Sequence, residues 1–215
     1  GSGSQIDLTY PLLSGVVPDS LILQIRQNLI DFIEADRGGH FACGLVGVPV
    51  FTEWATKNRE ADLMYSMLKK RDYPGYLYMI DNGATTTWEH WNGARSRIHN
   101  CYNGIGSWFY EAVGGIRQDE NYPGYRHFLI DPQIPDGITW AMASKETPYG
   151  TIISEWRTEA VQVNMEVTIP VGCKAIITIP DLNETFTLNG ENLPNNKNHT
   201  ELRSGEYYIT YKPEK

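Results

Sequence analysis

The 215 residues predict an α+β chain of two domains, a helical part over residues 1–118 followed by an antiparallel β-sandwich over 119–215. Three observations carry that expectation. Before residue 119, apolar residues recur at helical spacing in several stretches, each closed by glycines or basic residues. After it, Pro, Asp and Gly clusters punctuate short runs in which apolar and polar residues alternate, the period of a half-buried strand. Between two of the helical stretches, residues 72–99 mix glycines, prolines and aromatics in neither period and form a long ordered loop, the kind of segment on which functional residues concentrate.

The elements follow in order. Pro18-Asp19-Ser20 starts a helix whose Ile22, Ile25, Leu29, Phe32 and Ile33 make one apolar stripe, and Gly38-Gly39 ends it. A second helix begins near Pro49 with Val50, Phe51 and Trp54. A third runs from Arg59 to Arg71, with Glu60 and Asp62 in its first turn and Lys69-Lys70-Arg71 in its last, so its charges match the helix dipole and form a solvated face. Ile105, Trp108, Phe109, Ala112 and Val113 stripe another, stopped by Gly114-Gly115. That makes four or five helices. In the second part, Val161, Val163, Met165, Val167 and Ile169 alternate with polar residues, and similar segments at 125–130, 138–144, 151–157, 174–179, 185–189 and 206–211 give six or seven short antiparallel strands. Asn195-Asn196-Lys197-Asn198 reads as a polar loop.

The formal net charge is -8 and the pI near 5.1, which argues against nucleic acid or an anionic membrane as partner and for a neutral one. No run reaches the roughly 20 apolar residues of a membrane helix. Gly1-Ser2-Gly3-Ser4 reads as a linker, and the compartment stays open, periplasmic, secreted or cytoplasmic. Cys43, Cys101 and Cys173 are odd in number and widely spaced, so neither a disulfide framework nor a zinc site is indicated, and no metal or cofactor is expected.

One stretch concentrates the chemistry. Gly83-Ala84-Thr85-Thr86-Thr87-Trp88-Glu89-His90-Trp91-Asn92 sets a carboxylate between two tryptophans. Indoles offer flat apolar faces that stack on sugar rings while their N–H groups reach hydroxyls. A carboxylate beside them is expected to be partly desolvated, with its pKa raised toward general acid or base work. The plainer reading makes Trp88 and Trp91 loop anchors and has Glu89 cap a backbone group or pair with an Arg. Asp81 suits an Asp-Asn-Gly turn, and Arg95 and Arg97 suit the surface or the fastening of the loop.

The stretch resembles the Gly-Ala-Thr-Thr-x-Trp-Glu-x-Trp signature of the α-L-rhamnosidases, glycoside hydrolase family 78. Gly44-x-x-Gly47-x-Pro49, Tyr73-Pro74-Gly75-Tyr76, Ser96-x-x-His99, Gly106-x-Trp108-x-Tyr110, Gly115-Ile116 and Pro123-Gly124-Tyr125 extend the likeness from about Gln5 to the end. Departures are Ile98-His99-Asn100 where the family has Asn-His-Tyr, and Gly75-Tyr76 where it has Ser-Trp; they leave the sugar and linkage open. The resemblance implies the end of an (α/α)6 toroid, the remainder of which this helical part is too short to hold, followed by a β-sandwich. It implies inverting hydrolysis of a rhamnose-containing glycan with Glu89 as general base, the general acid lying in the earlier half of the toroid, about 6.5–9.5 Å from the base. Trp88 and Trp91 become the sugar platform, or one of them core, and His99 either bonds a sugar hydroxyl or orients Glu89. A helical part of this size is expected to self-associate through its apolar stripes and to be inactive alone. A non-catalytic carbohydrate-binding module and another inverting toroid glycosidase stay open as alternatives.

Overall fold

The computed structural model describes residues 3–160, 162–179, 185–194 and 198–212, with the side chains of Cys101, Thr185 and Pro194 outside the description. Gly1-Ser2 of the linker, Val161 of the alternating strand and residues 195–197 of the polar loop lie outside it. The chain divides into two compact units, 1–108 and 109–215, parting ahead of residue 119 where the composition changes.

The first unit holds six α-helices among the described residues: α1 (Gln5–Ser14), α2 (Asp19–Asp31), α3 (Gly47–Lys57), α4 (Ala61–Leu68), α5 (Tyr76–Asp81) and α6 (Ile105–Trp108). The stripe of α2 is graded. Leu29 and Ile33, the latter in a widened turn that prolongs the helix, are fully buried, whereas Ile22 is exposed together with Leu21 and Leu23. Gly39 N–H closes the turn on the Ile33 carbonyl at 2.7 Å. Helix α3 is the centre of the unit, with Val48, Phe51, Trp54 and Ala55 at 0–1% exposure. At its first residue, Gly47, a Cβ would lie 2.3 Å from that of Cys43, so that position requires glycine, whereas a Cβ at Gly44 would meet nothing within 4 Å.

Two sequence expectations are corrected, and one helix has no sequence signal. Helix α1 carries no apolar stripe: its buried residues are Gln5 and Thr9, Gln5 accepting from the Ala42 N–H at 2.8 Å and Thr9 donating to the Gln5 carbonyl at 2.6 Å, and Pro11 sits inside it. A polar buried face and an internal proline leave nothing for periodicity to detect. Helix α5 lies inside the stretch read as loop; it is one and a half turns long, with Tyr76 and Met79 as its buried contacts. Glu60 is not part of a solvated first turn. It precedes α4, is 8% exposed, and accepts from Arg26 Nε of α2 at 2.5 Å, so the pair ties two helices.

The second unit is built on one connected sheet with β1 (Ile116–Gln118), β2 (His127–Ile130), β3 (Trp140–Thr147), β4 (Gly150–Glu159), β5 (Gln162–Thr178), β6 (Thr185–Leu188), β7 (Glu191–Pro194) and β8 (His199–Tyr211). The order is β1-β2-β5-β8-β6-β7, with β3 paired to β4 and β4 to β5. Pairing is antiparallel except that β2 runs parallel to β5. Two segments expected as separate strands on either side of residue 170 are one element, because β8 pairs with both halves. Ile169 faces Gly205 and Lys174 faces Arg203, so residues 170–173 stand opposite Ser204 alone. Such a bulge bends a strand, and here β4 flanks its first half and β2 its second.

The alternation expected for β5 is realised, Val163, Met165, Val167 and Ile169 all being buried. They join Phe128, Ile130, Ile152, Trp156 and Ile209 in the core of this unit. Trp156 Nε1 donates to the Val113 carbonyl at 2.7 Å, and Gln133 N–H to that of Ala112 at 2.8 Å, so the turn after Trp108 belongs to the β unit. Half-buried His127 of β2 stands between buried Asp119 at 2.8 Å and the more exposed Glu201 of β8 at 3.4 Å.

Candidate active site

The signature stretch is one arm of a stitched loop. Glu89 N–H donates to the Ser96 carbonyl at 2.9 Å and His99 N–H to that of Thr87 at 3.0 Å. The threonine run supplies further stitches, Thr87 Oγ1 donating to the His99 carbonyl at 2.5 Å and Thr86 Oγ1 to that of Arg97. Two of the three threonines in the run thus have a local cause, since the hydroxyls of Thr86 and Thr87 replace ladder hydrogen bonds that an irregular backbone lacks.

These stitches bring Glu89, Arg95, Ser96 and His99 together. Ser96 N–H donates to Glu89 Oε2 at 3.2 Å, Arg95 Nη1 lies 3.3 Å from Oε1, and His90 Nε2 lies 3.8 Å from the same oxygen. Arg95 reaches it from a left-handed backbone conformation, φ 60°. The Glu89 side chain remains a quarter exposed. Its pKa is held below the ordinary carboxylate value, first by the Ser96 N–H, then by Arg95, with the His99 charge adding to the effect and desolvation opposing it. The expectation of a pKa raised by burial is therefore corrected: a donated hydrogen bond and a cation outweigh desolvation at a site this open. The result is a carboxylate kept ionised, which suits a base and not an acid. Arg95, expected at the surface or fastening the loop, does both: its side chain is 74% exposed and it is the nearest cation to Glu89.

The two indoles have different surroundings. Trp88 is 4% exposed, its ring covered by the Arg97 guanidinium at 5.3 Å and by the backbone of Gly93. Gly93 has φ +74°, and a Cβ there would come within 2.9 Å of the indole. Trp91 is 8% exposed and stacks on Tyr102 at 3.9 Å and on Phe41 at 6.1 Å, with Tyr76 edge-on at 5.1 Å. Neither indole presents a free face as a platform. Trp91 does, with Tyr102, Phe41, Arg37, Asp36 and His40, line an open cavity of about 630 Å³, within the range of small-molecule sites. His40 is fixed there by contacts to the Pro74 carbonyl at 2.7 Å and to Asp72 at 3.2 Å.

Asp36, Arg37 and His40 were not legible as site residues. They lie some fifty positions before the signature, and only the fold brings them beside Trp91. Asp81 stands apart, held by Arg71 at 2.6 and 2.8 Å. Among the described residues no group of three or more His, Cys, Asp or Glu side chains could hold a metal ion.

Comparison with known families places this loop and its two units. The model of the bacterial alpha-L-rhamnosidase 6 hairpin glycosidase domain matches residues 1–113, and that of the bacterial alpha-L-rhamnosidase C-terminal domain matches residues 115–192. The chain belongs to the bacterial α-L-rhamnosidase family. Two alpha-L-rhamnosidases of Formosa agariphila are similar to it, at 36% identity over 80% of this chain and 30% over 97%. The chain spans 20% and 24% of their lengths. The solved structure of Streptomyces avermitilis alpha-L-rhamnosidase complexed with L-rhamnose matches 98% of this chain and 22% of its own, with a TM-score of 0.86 at 25% identity. That of the alpha-L-rhamnosidase from Dictyoglumus thermophilum shares the fold, with a TM-score of 0.87 at 22% identity over 98% of this chain and 25% of its own. The helical unit is thus a part of a six-hairpin glycosidase domain, and the β unit is the family's C-terminal domain.

Proposed function

We propose that this rhamnosidase-family chain carries the general base of an inverting glycoside hydrolase acting on terminal α-L-rhamnosides, and that Glu89 is that base. The carrying observation is the set of donors around Glu89, which keeps its carboxyl ionised while leaving it partly open to water. In an inverting mechanism the base takes a proton from a water molecule as that water attacks the anomeric carbon, while a separate acid protonates the leaving oxygen. The electrostatic effect of His99 also lowers the Glu89 pKa, and Trp91, two residues along the loop from Glu89, walls with Tyr102 a cavity where a sugar can lie against the aromatic edges. Trp88 serves from beneath, packing the loop that aims Glu89. The acid belongs to the larger part of the relatives' length that this chain does not span, so the 215 residues by themselves are expected to turn over little or no synthetic rhamnoside.

The test is Glu89→Gln in the full-length enzyme. Loss of a general base lowers kcat by about 10²- to 10⁴-fold while KM changes little, because the amide keeps the shape and loses only proton acceptance. The arrangement also favours a second reading, since Ser96 N–H and Arg95 would equally lock a loop through Glu89. A variant with wild-type turnover and a lowered Tm would decide for the lock and against the base.

A further inference from the structure

The β unit contains a cavity of its own that the hydrolytic reading does not use. It is about 340 Å³, near the lower end of the roughly 300–1,000 Å³ range of small-molecule sites, which suits one ring and not a chain. Buried Ile116 of β1 is an apolar wall. Tyr110 stands at the rim, 57% exposed. Half-buried Tyr125 is covered on one face by the Lys145 ammonium, 4.8 Å from the ring centre, and Ser144 and Glu146 complete the polar side. Successive side chains of a strand point to opposite faces, so a cavity that touches Ser144, Lys145 and Glu146 together wraps the edge of β3. That edge is open: among the described residues β3 pairs with β4 alone, and an unpaired strand edge offers backbone N–H and C=O groups to a ligand.

We propose that this cavity is a second, non-catalytic sugar-binding site that takes one neutral pyranose residue of the glycan on which the enzyme acts. The chemistry of the lining selects the class. An exposed phenol ring and an isoleucine provide an apolar surface for the C–H face of a sugar, while a hydroxyl, an ammonium and a carboxylate provide both donors and acceptors for its hydroxyls. Glu146 Oε1 accepts from Thr151 Oγ1 at 2.8 Å, which holds the carboxylate in place. Glu111 and Glu146 against Lys145 leave the lining with an excess of negative charge, which disfavours an anionic ligand. A cavity of about 340 Å³ fits a ring better than an added peptide strand. The choice of L-rhamnose as probe rests on the rhamnosidase reading; the site itself does not.

The test is a titration of the ¹⁵N-labelled 215-residue chain with L-rhamnose, D-glucose and D-glucuronate, followed by amide shifts. The expected result is a saturable shift with a millimolar Kd at Tyr110, Tyr125 and the Ser144 to Glu146 amides, produced by at least one neutral sugar and absent with D-glucuronate. Tyr110→Ala, at an exposed ring whose loss leaves the fold intact, weakens binding roughly tenfold; Glu146→Gln is the second variant and also weakens it. The proposal is overturned by the absence of a saturable shift at these amides, by equal binding of D-glucuronate, or by a shift that survives both substitutions. Shifts confined to the loop from Glu89 to His99 and to Trp91 overturn it too, while supporting the hydrolytic reading. Shifts confined to the β unit uphold it and leave Glu89 to be judged by turnover alone.

Discussion

Glu89 shows how little separates a loop-locking carboxylate from a catalytic one. Its partners are a backbone N–H and an exposed guanidinium, and each favours the charged form. Since the folded pKa is depressed, the linkage runs in one direction: the interaction is present above the unfolded value, near 4.5, and is lost as pH falls through the lower folded value. Arg95→Gln removes the neighbouring cation, so the Glu89 pKa rises toward the ordinary value. In the full-length enzyme the acid limb of the kcat/KM profile is expected to move to higher pH, with the alkaline limb unchanged. A ¹³C titration of the Glu89 carboxyl in the 215-residue chain reads the same shift without turnover, and identical titration curves for the two proteins would show that Arg95 has no hold on Glu89.

At the scale of elements, the joints that matter in the helical unit are polar ones that no stripe announces. Arg26 of α2 and Glu60 ahead of α4 are the clearest case. Glu60 is 9% exposed at its side chain and Arg26 is 39% exposed, so removing the arginine strands a carboxylate that water reaches poorly. Truncating one partner of a fully buried pair costs about 3–5 kcal/mol, and an exposed pair contributes about 0–1. This half-exposed pair falls between, and Arg26→Ala is expected to lower stability by about 1–2 kcal/mol in urea unfolding. The double variant Arg26→Ala with Glu60→Gln should recover part of the loss, because the stranded charge is gone. The same logic explains why α1 escaped notice: its anchoring contact is a Gln5 side chain bonded to the backbone at Ala42, not an apolar face.

Over the whole chain, burial is uneven in a way that bears on assembly. The expected stripe from Ile22 to Ile33 is covered at its far end, and Val16, Leu21, Ile22 and Leu23, at the start of α2 and just before it, form a run among the exposed large apolar residues. Each large aliphatic side chain withdrawn from water contributes about 1.5–3 kcal/mol, so several together favour self-association. The 215-residue chain is therefore expected to dimerise or form larger species through the start of α2. Light scattering on wild type and Leu23→Lys checks it: the lysine should return the chain toward monomer, whereas a wild-type monomer at high concentration would remove the basis for the idea.

The sequence alone determined the order of a helical part and a β part, most strand positions, the principal helices α2, α3 and α4, and the stretch around Glu89. These are matters of local period and of a short motif whose residue types are specific. The tertiary structure alone decided the rest, because the deciding partners are far apart in the chain. Residues 170–173 became a bend within one strand only because β8 pairs with both sides of it. His40 and Arg37 reached the wall shared with Trp91 through packing across some fifty residues. The ionisation of Glu89 was settled by a backbone N–H at Ser96 and the backbone turn at Arg95, where hydrogen-bond geometry, not residue type, sets the balance against desolvation.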